Sequence, residues 1–198
     1  YVLASESCAI DAIGGKLIRD MDPGEIVVID ENGLTSYGQN NWVGKRACIF
    51  EQIYFARPDS IMENRSVYQA RHTAGRILAQ ESPVEADVVI GVPDSGIPAA
   101  VGYAEESGIP YGVGLIKNKY SGRTFIQPNQ TMREEGVRLK LNPLRETIEG
   151  KRVIVIDDSI VRGTTSKRLV AILRDGGAKE VHFRVSSPPV THTCHFGI

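Results

Sequence analysis

The fourteen residues Val-Ile-Val-Ile-Asp-Asp-Ser-Ile-Val-Arg-Gly-Thr-Thr-Ser at 153–166 constrain this chain more than any others. Val153 through Ile156 is an unbroken apolar run, the pattern of a parallel strand covered on both faces. Leu169, Ile172 and Leu173 then fall at helical spacing until Gly176 and Gly177. The chain is therefore expected to fold here as strand, turn and helix within an α/β architecture, whose ligands gather beyond the carboxyl ends of the strands. The turn is dense in polar groups. Along Ser159, Ile160, Val161, Arg162, Gly163, Thr164, Thr165 and Ser166, backbone N–H groups and hydroxyls can face a phosphate at the helix N-terminus, where the dipole favours negative charge. Asp157 and Asp158 cannot hold a phosphate themselves; they suit sugar hydroxyls, or a magnesium ion directly or through its waters. A simple helix cap needs one such residue, not two acids and four hydroxyls. The nucleoside triphosphate loop and the dinucleotide fingerprint are both absent.

A second turn of the same kind lies at 91–98, Gly-Val-Pro-Asp-Ser-Gly-Ile-Pro, between an apolar run at 87–92 and a helical stretch at 97–107 ended by Gly108. Asp94, Ser95 and Gly96 occupy it, and Gly96 permits close backbone approach. On spacing alone this is also an ordinary turn; its pairing with the first motif makes it a second anion-ready loop on the same sheet edge. Further strands are expected at 111–116 and around Val181, Phe183 and Val185. An amphipathic helix is expected from Glu63 onward, with Val67, Ala70, Ala74, Ile77 and Leu78 on its apolar face, and a hairpin at 24–38. Strands separated by helices imply a parallel sheet flanked by helices. Residues 117–145 carry seven Lys or Arg (117, 119, 123, 133, 138, 140, 145) against Glu134 and Glu135. That charge suits a polyanionic ligand, a solvated loop or a nucleic-acid patch alike.

These motifs resemble the type I phosphoribosyltransferases, whose signature is two acids at the end of an apolar strand followed by a Gly/Thr-rich loop. The stretches YVLASESCAID (1–11), CIFEQIYFARPDS (48–60), GVPDSGIPA (91–99) and GRTFIQP (122–128) narrow the resemblance to the glutamine phosphoribosylpyrophosphate amidotransferase family, across essentially the whole chain. The resemblance implies a type I phosphoribosyltransferase-like parallel sheet at 43–198. It also implies a short β segment at 1–42 left from a glutaminase domain, and a C-terminus that stops before the family's hood. The implied reaction is transfer from phosphoribosyl pyrophosphate to ammonia, derived from glutamine in the full-length enzyme, giving 5-phosphoribosylamine and pyrophosphate at the first committed step of purine synthesis. Asp157, Asp158, Arg123 and Thr124 match catalytic positions. Asp94, Ser95, Gly96, Lys117, Arg123 and residues 159–166 match substrate-binding ones, and Ser95, Asp157 and Asp158 match magnesium contacts. The basic segment, with Phe125, corresponds to the part that closes over substrate and excludes water.

The family's glutamine-hydrolysing nucleophile is an N-terminal cysteine. Tyr1 stands first here and Cys8 does not fit that role, so ammonia rather than glutamine is the expected nucleophile source for this chain. One branch of the family carries a [4Fe-4S] cluster on four cysteines. Cys48 and Cys194 match two of its ligands, the others falling beyond Ile198, which leaves two free thiols here. Purine nucleotides as feedback inhibitors and a homo-oligomeric assembly are implied by the same resemblance. Composition adds exclusions: 23 basic against 24 acidic residues give no global attraction to nucleic acid or membrane. No apolar run approaches the ~20 residues needed to span a bilayer, so a cytoplasmic enzyme is the expectation. The reading from another class is a binding module of the same fold that holds phosphoribosyl pyrophosphate or nucleotides without turnover.

Overall fold

A computed structural model describes residues 1–38, 46–118, 141–161 and 163–192. The chain divides into two compact units, Tyr1–Tyr68 and Gln69–Ile198. The break expected at 42/43 lies outside the described residues, and residues 46–68 group instead with the N-terminal segment. The reason is local hydrogen bonding. The Glu6 carboxylate accepts from the Arg57 backbone N–H at 2.8 Å and the Ser60 hydroxyl at 2.7 Å, while the Ser7 hydroxyl accepts from the Ile61 N–H at 2.7 Å.

The first unit holds helix α1 (Ser7–Ala12) and the expected hairpin of β1 (Ile26–Asp30) with β2 (Gly33–Tyr37), in register from Ile26 opposite Tyr37 to Asp30 opposite Gly33. A single π-helical turn (Glu51–Phe55) follows. Next comes a miniature hairpin of β3 (Ile61–Met62) and β4 (Arg65–Ser66), whose two turn residues Glu63 and Asn64 both take positive φ, as a tight hairpin turn of that twist requires.

Helix α2 (Val67–Glu81) therefore starts four residues later than Glu63. Its buried positions are Val67, Arg71, Gly75 and Ala79, while Ile77 is exposed. Val67 is fully buried and Leu78 packs against the cluster of Ala99, Ala100 and Tyr103 as expected, whereas Ile77 is off that face and the closest approach to the next helix is made through glycine. A Cβ on Gly75 would stand 1.9 Å from the Ala99 carbonyl oxygen, and one on Gly102 would stand 2.0 Å from that of His72.

The core of the second unit is a parallel sheet in the order β5 (Val88–Gly91), β8 (Arg152–Asp157), β9 (Glu180–Val185). Side chains alternate across it with the period of two that strands impose. Val89, Ile154 and Ile156 pack with Ala99, Ala100 and Tyr103 of α3 (Ile97–Ser107). On the other face Val88, Ile90, Val153 and Val155 pack with Leu169 and Leu173 of the helix at Thr164–Asp175. Gly108, at φ 72°, ends α3 as expected.

The strand expected at 111–116 is split. Only Tyr111 bridges in parallel to Val89, after which Leu115–Lys117 (β6) pairs antiparallel with Leu141–Pro143 (β7). The Gly112 N–H still donates to the Val89 carbonyl at 2.9 Å, and pairing with β5 is lost only beyond it, where a Cβ on Gly114 would come within 2.6 Å of the Ile90 side chain and the Gly114 carbonyl accepts instead from the Leu144 N–H at 2.9 Å. The short helix α4 (Arg145–Ile148) follows β7, and Thr164–Asp175 is α5. Among the described residues no helix is long and apolar enough to cross a membrane.

Candidate active site

Two turns leave the carboxyl ends of adjacent strands and meet. The 92–96 turn after β5 is tied to β8 by the Val92 N–H, which donates to the Ile156 carbonyl at 2.9 Å. It folds on itself through the Gly96 N–H to the Val92 carbonyl at 3.0 Å. Glycine is required at 96, because a Cβ would lie 2.5 Å from the Ile156 carbonyl oxygen, which is backbone and cannot yield. The Pro93–Asp94 peptide bond is cis.

The Ser95 hydroxyl donates to one oxygen of Asp158, and the Ser159 hydroxyl donates to the other at 2.5 Å. Ser95 and the acid pair, read from the sequence as neighbours on one edge, are in direct contact. Asp157 takes a different partner. One of its carboxylate oxygens accepts from the Asp158 backbone N–H at 3.0 Å.

Both acids are buried, at 9% and 6% exposure, at the mouth of a sheet whose neighbouring side chains are apolar. Burial, with the neighbouring Asp158 carboxylate adding to it, pushes the Asp157 carboxyl up to about 7 against the opposing pull of the Asp158 N–H. Below about pH 4 this carboxyl is protonated whether or not the chain is folded, and between about 4 and 7 only the folded chain keeps the proton. Stability is therefore expected to fall as pH rises through that window and to level off above it, by an amount on the order of a few kcal/mol. Thermal unfolding of Asp157→Asn beside the unsubstituted protein, from pH 5 to 8 in chelator, checks this. The variant should show the flatter profile, and parallel profiles would count against the assignment.

On the far side of the acid pair, Gly163 takes φ 73° and begins α5 with no side-chain cap. The first intrahelical bond is Lys167 N–H to the Gly163 carbonyl at 3.1 Å, so the amides of Thr164, Thr165 and Ser166 precede the ladder, as the opening N–H groups of any helix do. The Ser166 hydroxyl turns back to the Gly163 carbonyl at 3.0 Å. Ile160 and Val161 are exposed.

Lys117, at the end of β6, reaches across to Asp94 at 2.6 Å. Arg123, Thr124, Phe125 and most of the basic segment, together with Arg162 and Cys194, lie outside the described residues. Cys48 is exposed and free, and Cys8 is free and buried.

Sequence reasoning missed one set of contributors. The backbone N–H groups of Ser186 and Ser187, just past β9, donate to the carbonyls of Asp157 and Asp158 at 3.0 Å each and fix the backbone of the acid pair from the third strand. No residue type signals this. It follows from strand order, which brings the end of β9 beside the end of β8.

The donor chemistry is all oxygen: two carboxylates and a hydroxyl. Among the described residues no group of three or more His, Cys, Asp or Glu could cage a metal. That set fits a small hard cation held by one or two carboxylates, with water and a ligand's phosphates supplying the rest. A site of this kind can bind an anion together with its cation at one strand edge.

Comparison with known proteins agrees with the geometry. The model of the phosphoribosyl transferase domain matches residues 59–187. Over all 198 residues the chain is 59% identical to the amidophosphoribosyltransferase of Synechocystis sp., covering 40% of that protein, and 56% identical to the amidophosphoribosyltransferase of Bacillus subtilis, covering 42%. The solved glutamine phosphoribosylpyrophosphate amidotransferase from B. subtilis, complexed with ADP and GMP, superposes with a TM-score of 0.88 at 55% identity, over 98% of this chain and 43% of that one. The chain thus spans about two fifths of the length of the curated relatives it matches.

Proposed function

The chain belongs to the phosphoribosyl transferase domain family, and from that premise we propose that it carries the transferase chemistry of an amidophosphoribosyltransferase. The reaction is displacement at the anomeric carbon of phosphoribosyl pyrophosphate by ammonia. The nitrogen–carbon bond forms as the carbon–oxygen bond to pyrophosphate breaks, the bonding pair leaves with pyrophosphate, and the attacking ammonia gives up one proton to solvent. The product is 5-phosphoribosylamine, which opens purine synthesis. The observation that carries the reading is the contact of Ser95 with Asp158, which joins the two anion-ready turns at one strand edge.

In this reading the amides and hydroxyls of residues 159–166 hold the 5′-phosphate at the start of α5, and the turn bearing Asp94, Ser95 and Gly96 holds pyrophosphate. Asp157 and Asp158 accept from the ribose hydroxyls or hold magnesium with Ser95. A magnesium ion held there would supply positive charge beside the departing pyrophosphate. No side-chain nucleophile takes part, so the chain's own contribution is to fix the two ends of the substrate and keep the acids in register. Arg123, Thr124 and Lys117 are assigned to substrate contact, and Arg123, Thr124 and Phe125 to closure over the sugar. Purine nucleotides, as in the B. subtilis complex, are proposed inhibitors. The resemblance extends the proposal to a homo-oligomeric assembly and, in the full-length protein, to a [4Fe-4S] cluster using Cys48 and Cys194.

The test supplies phosphoribosyl pyrophosphate and magnesium, then ammonium at a pH that leaves free ammonia, and follows pyrophosphate release. Ammonia-dependent release is the expected result. Tight binding of the substrate with no release under any nitrogen source would favour the non-catalytic module.

A further inference from the structure

Asp94, Asp157 and Asp158 are carboxylates gathered at one sheet edge. Among the described residues, the ion pair that an ammonium makes with them is that of Lys117 with Asp94, at 2.6 Å. The pairing runs against what an anion site needs. A lysine placed to meet pyrophosphate is spoken for by a carboxylate on the very turn that would bind it. Antiparallel pairing sets Lys117 opposite Leu141 at the end of β6, and Asp94 stands at the tip of the turn between β5 and α3, so each side arrives from a separately fixed element. The pair adds little to the fold, because the two side chains are 52% and 71% exposed and water screens them.

We infer that Asp94 is a selectivity residue: it occupies Lys117 so that a bare anion must displace a carboxylate to claim the lysine, whereas an anion that brings its own divalent cation meets no such penalty. The charges support it. A metal-free pyrophosphate approaching this edge meets the acid pair Asp157 and Asp158, and the charge of the ammonium nearest to it is already balanced by Asp94. Once a cation sits at the acid pair, that repulsion is largely cancelled, and Lys117 can exchange partners at small cost because an exposed ion pair is weak. The inference rests on the proposed pyrophosphate role of the 91–98 turn.

Isothermal titration of inorganic pyrophosphate into the unsubstituted chain, Asp94→Asn, Lys117→Met and the double variant, each in chelator and in magnesium, tests it. Asp94→Asn is expected to bind metal-free pyrophosphate about fivefold more tightly, the scale of one exposed ion pair. The gain should shrink in magnesium and vanish when Lys117 is also Met. No gain in chelator, or a gain that survives Lys117→Met, overturns the inference while leaving the site reading intact. Absence of pyrophosphate binding in magnesium by the unsubstituted chain and by Asp94→Asn alike would overturn both.

Discussion

Asp158→Asn is expected to cut ammonia-dependent pyrophosphate release by about a hundredfold or more, the scale of losing one preorganised charged group in a closed site, while the chain still folds. Asp158 is the joint between the two turns, with Ser95 donating to one oxygen and Ser159 to the other. An amide keeps the shape but turns one acceptor into a donor facing a hydroxyl and removes the charge that a cation would meet. Asp157→Asn should lose activity on a similar scale for a different reason, and it should gain stability above pH 7. There the native carboxylate is charged in a buried place beside a second acid, and the amide removes that cost. Steady-state turnover paired with thermal unfolding at pH 8 checks both. Full activity in either variant would reduce the acids to turn-forming residues, and a less stable Asp157→Asn at pH 8 would sink the electrostatic account.

The second large effect falls on the fold. Gly75→Ala should lower stability by roughly 3 kcal/mol or more, at or above the upper end for overpacking, and lower the melting temperature by about 6–12 °C in a chain of this length. The new methyl would lie 1.9 Å from the Ala99 carbonyl oxygen, so two helix backbones have to separate. Gly102→Ala should behave the same way against the His72 carbonyl. A melting temperature within about 1 °C of the parent in both variants would show that α2 and α3 do not cross this closely.

Legibility followed burial. The run Val153 to Ile156 became β8 with one residue added at either end, and Leu169, Ile172 and Leu173 are buried on α5 as their spacing requires. Both are cases in which large apolar side chains meet a covered sheet, which periodicity reads well. α2 passed the same test only in part: Val67 and Leu78 pack inward while Ile77 does not, and its closest contact is made by the absence of a side chain at Gly75, which no hydrophobic pattern registers. Tyr111 to Ile116 misled for a related reason, since pairing with β5 stops after Gly112, where Gly114 lies against the Ile90 side chain, without any break in the apolar character around it. At the site, Asp157, Asp158 and Ser95 could be brought together from sequence because strand-end turns of a parallel sheet share an edge. The donors from Ser186 and Ser187, and the pairing of Lys117 with Asp94, depend on strand order and reach. Those are properties of the assembled sheet rather than of any local run.

The uncapped start of α5 carries a thermodynamic consequence. Most helices stop their own fraying with a Ser, Thr, Asp or Asn side chain, which stabilises by about 1 kcal/mol. Here Gly163 has no side chain, its φ of 73° disfavours any replacement that has one, and Ser166 bonds backward to a carbonyl instead of supplying an amide with an acceptor. A phosphate seated there would complete the helix as well as bind to it, so substrate affinity and the local order of the 164–166 turn become one quantity measured two ways. Any engineered cap that tightened the empty helix would have to be evicted by the ligand, and affinity would fall by what the cap had added.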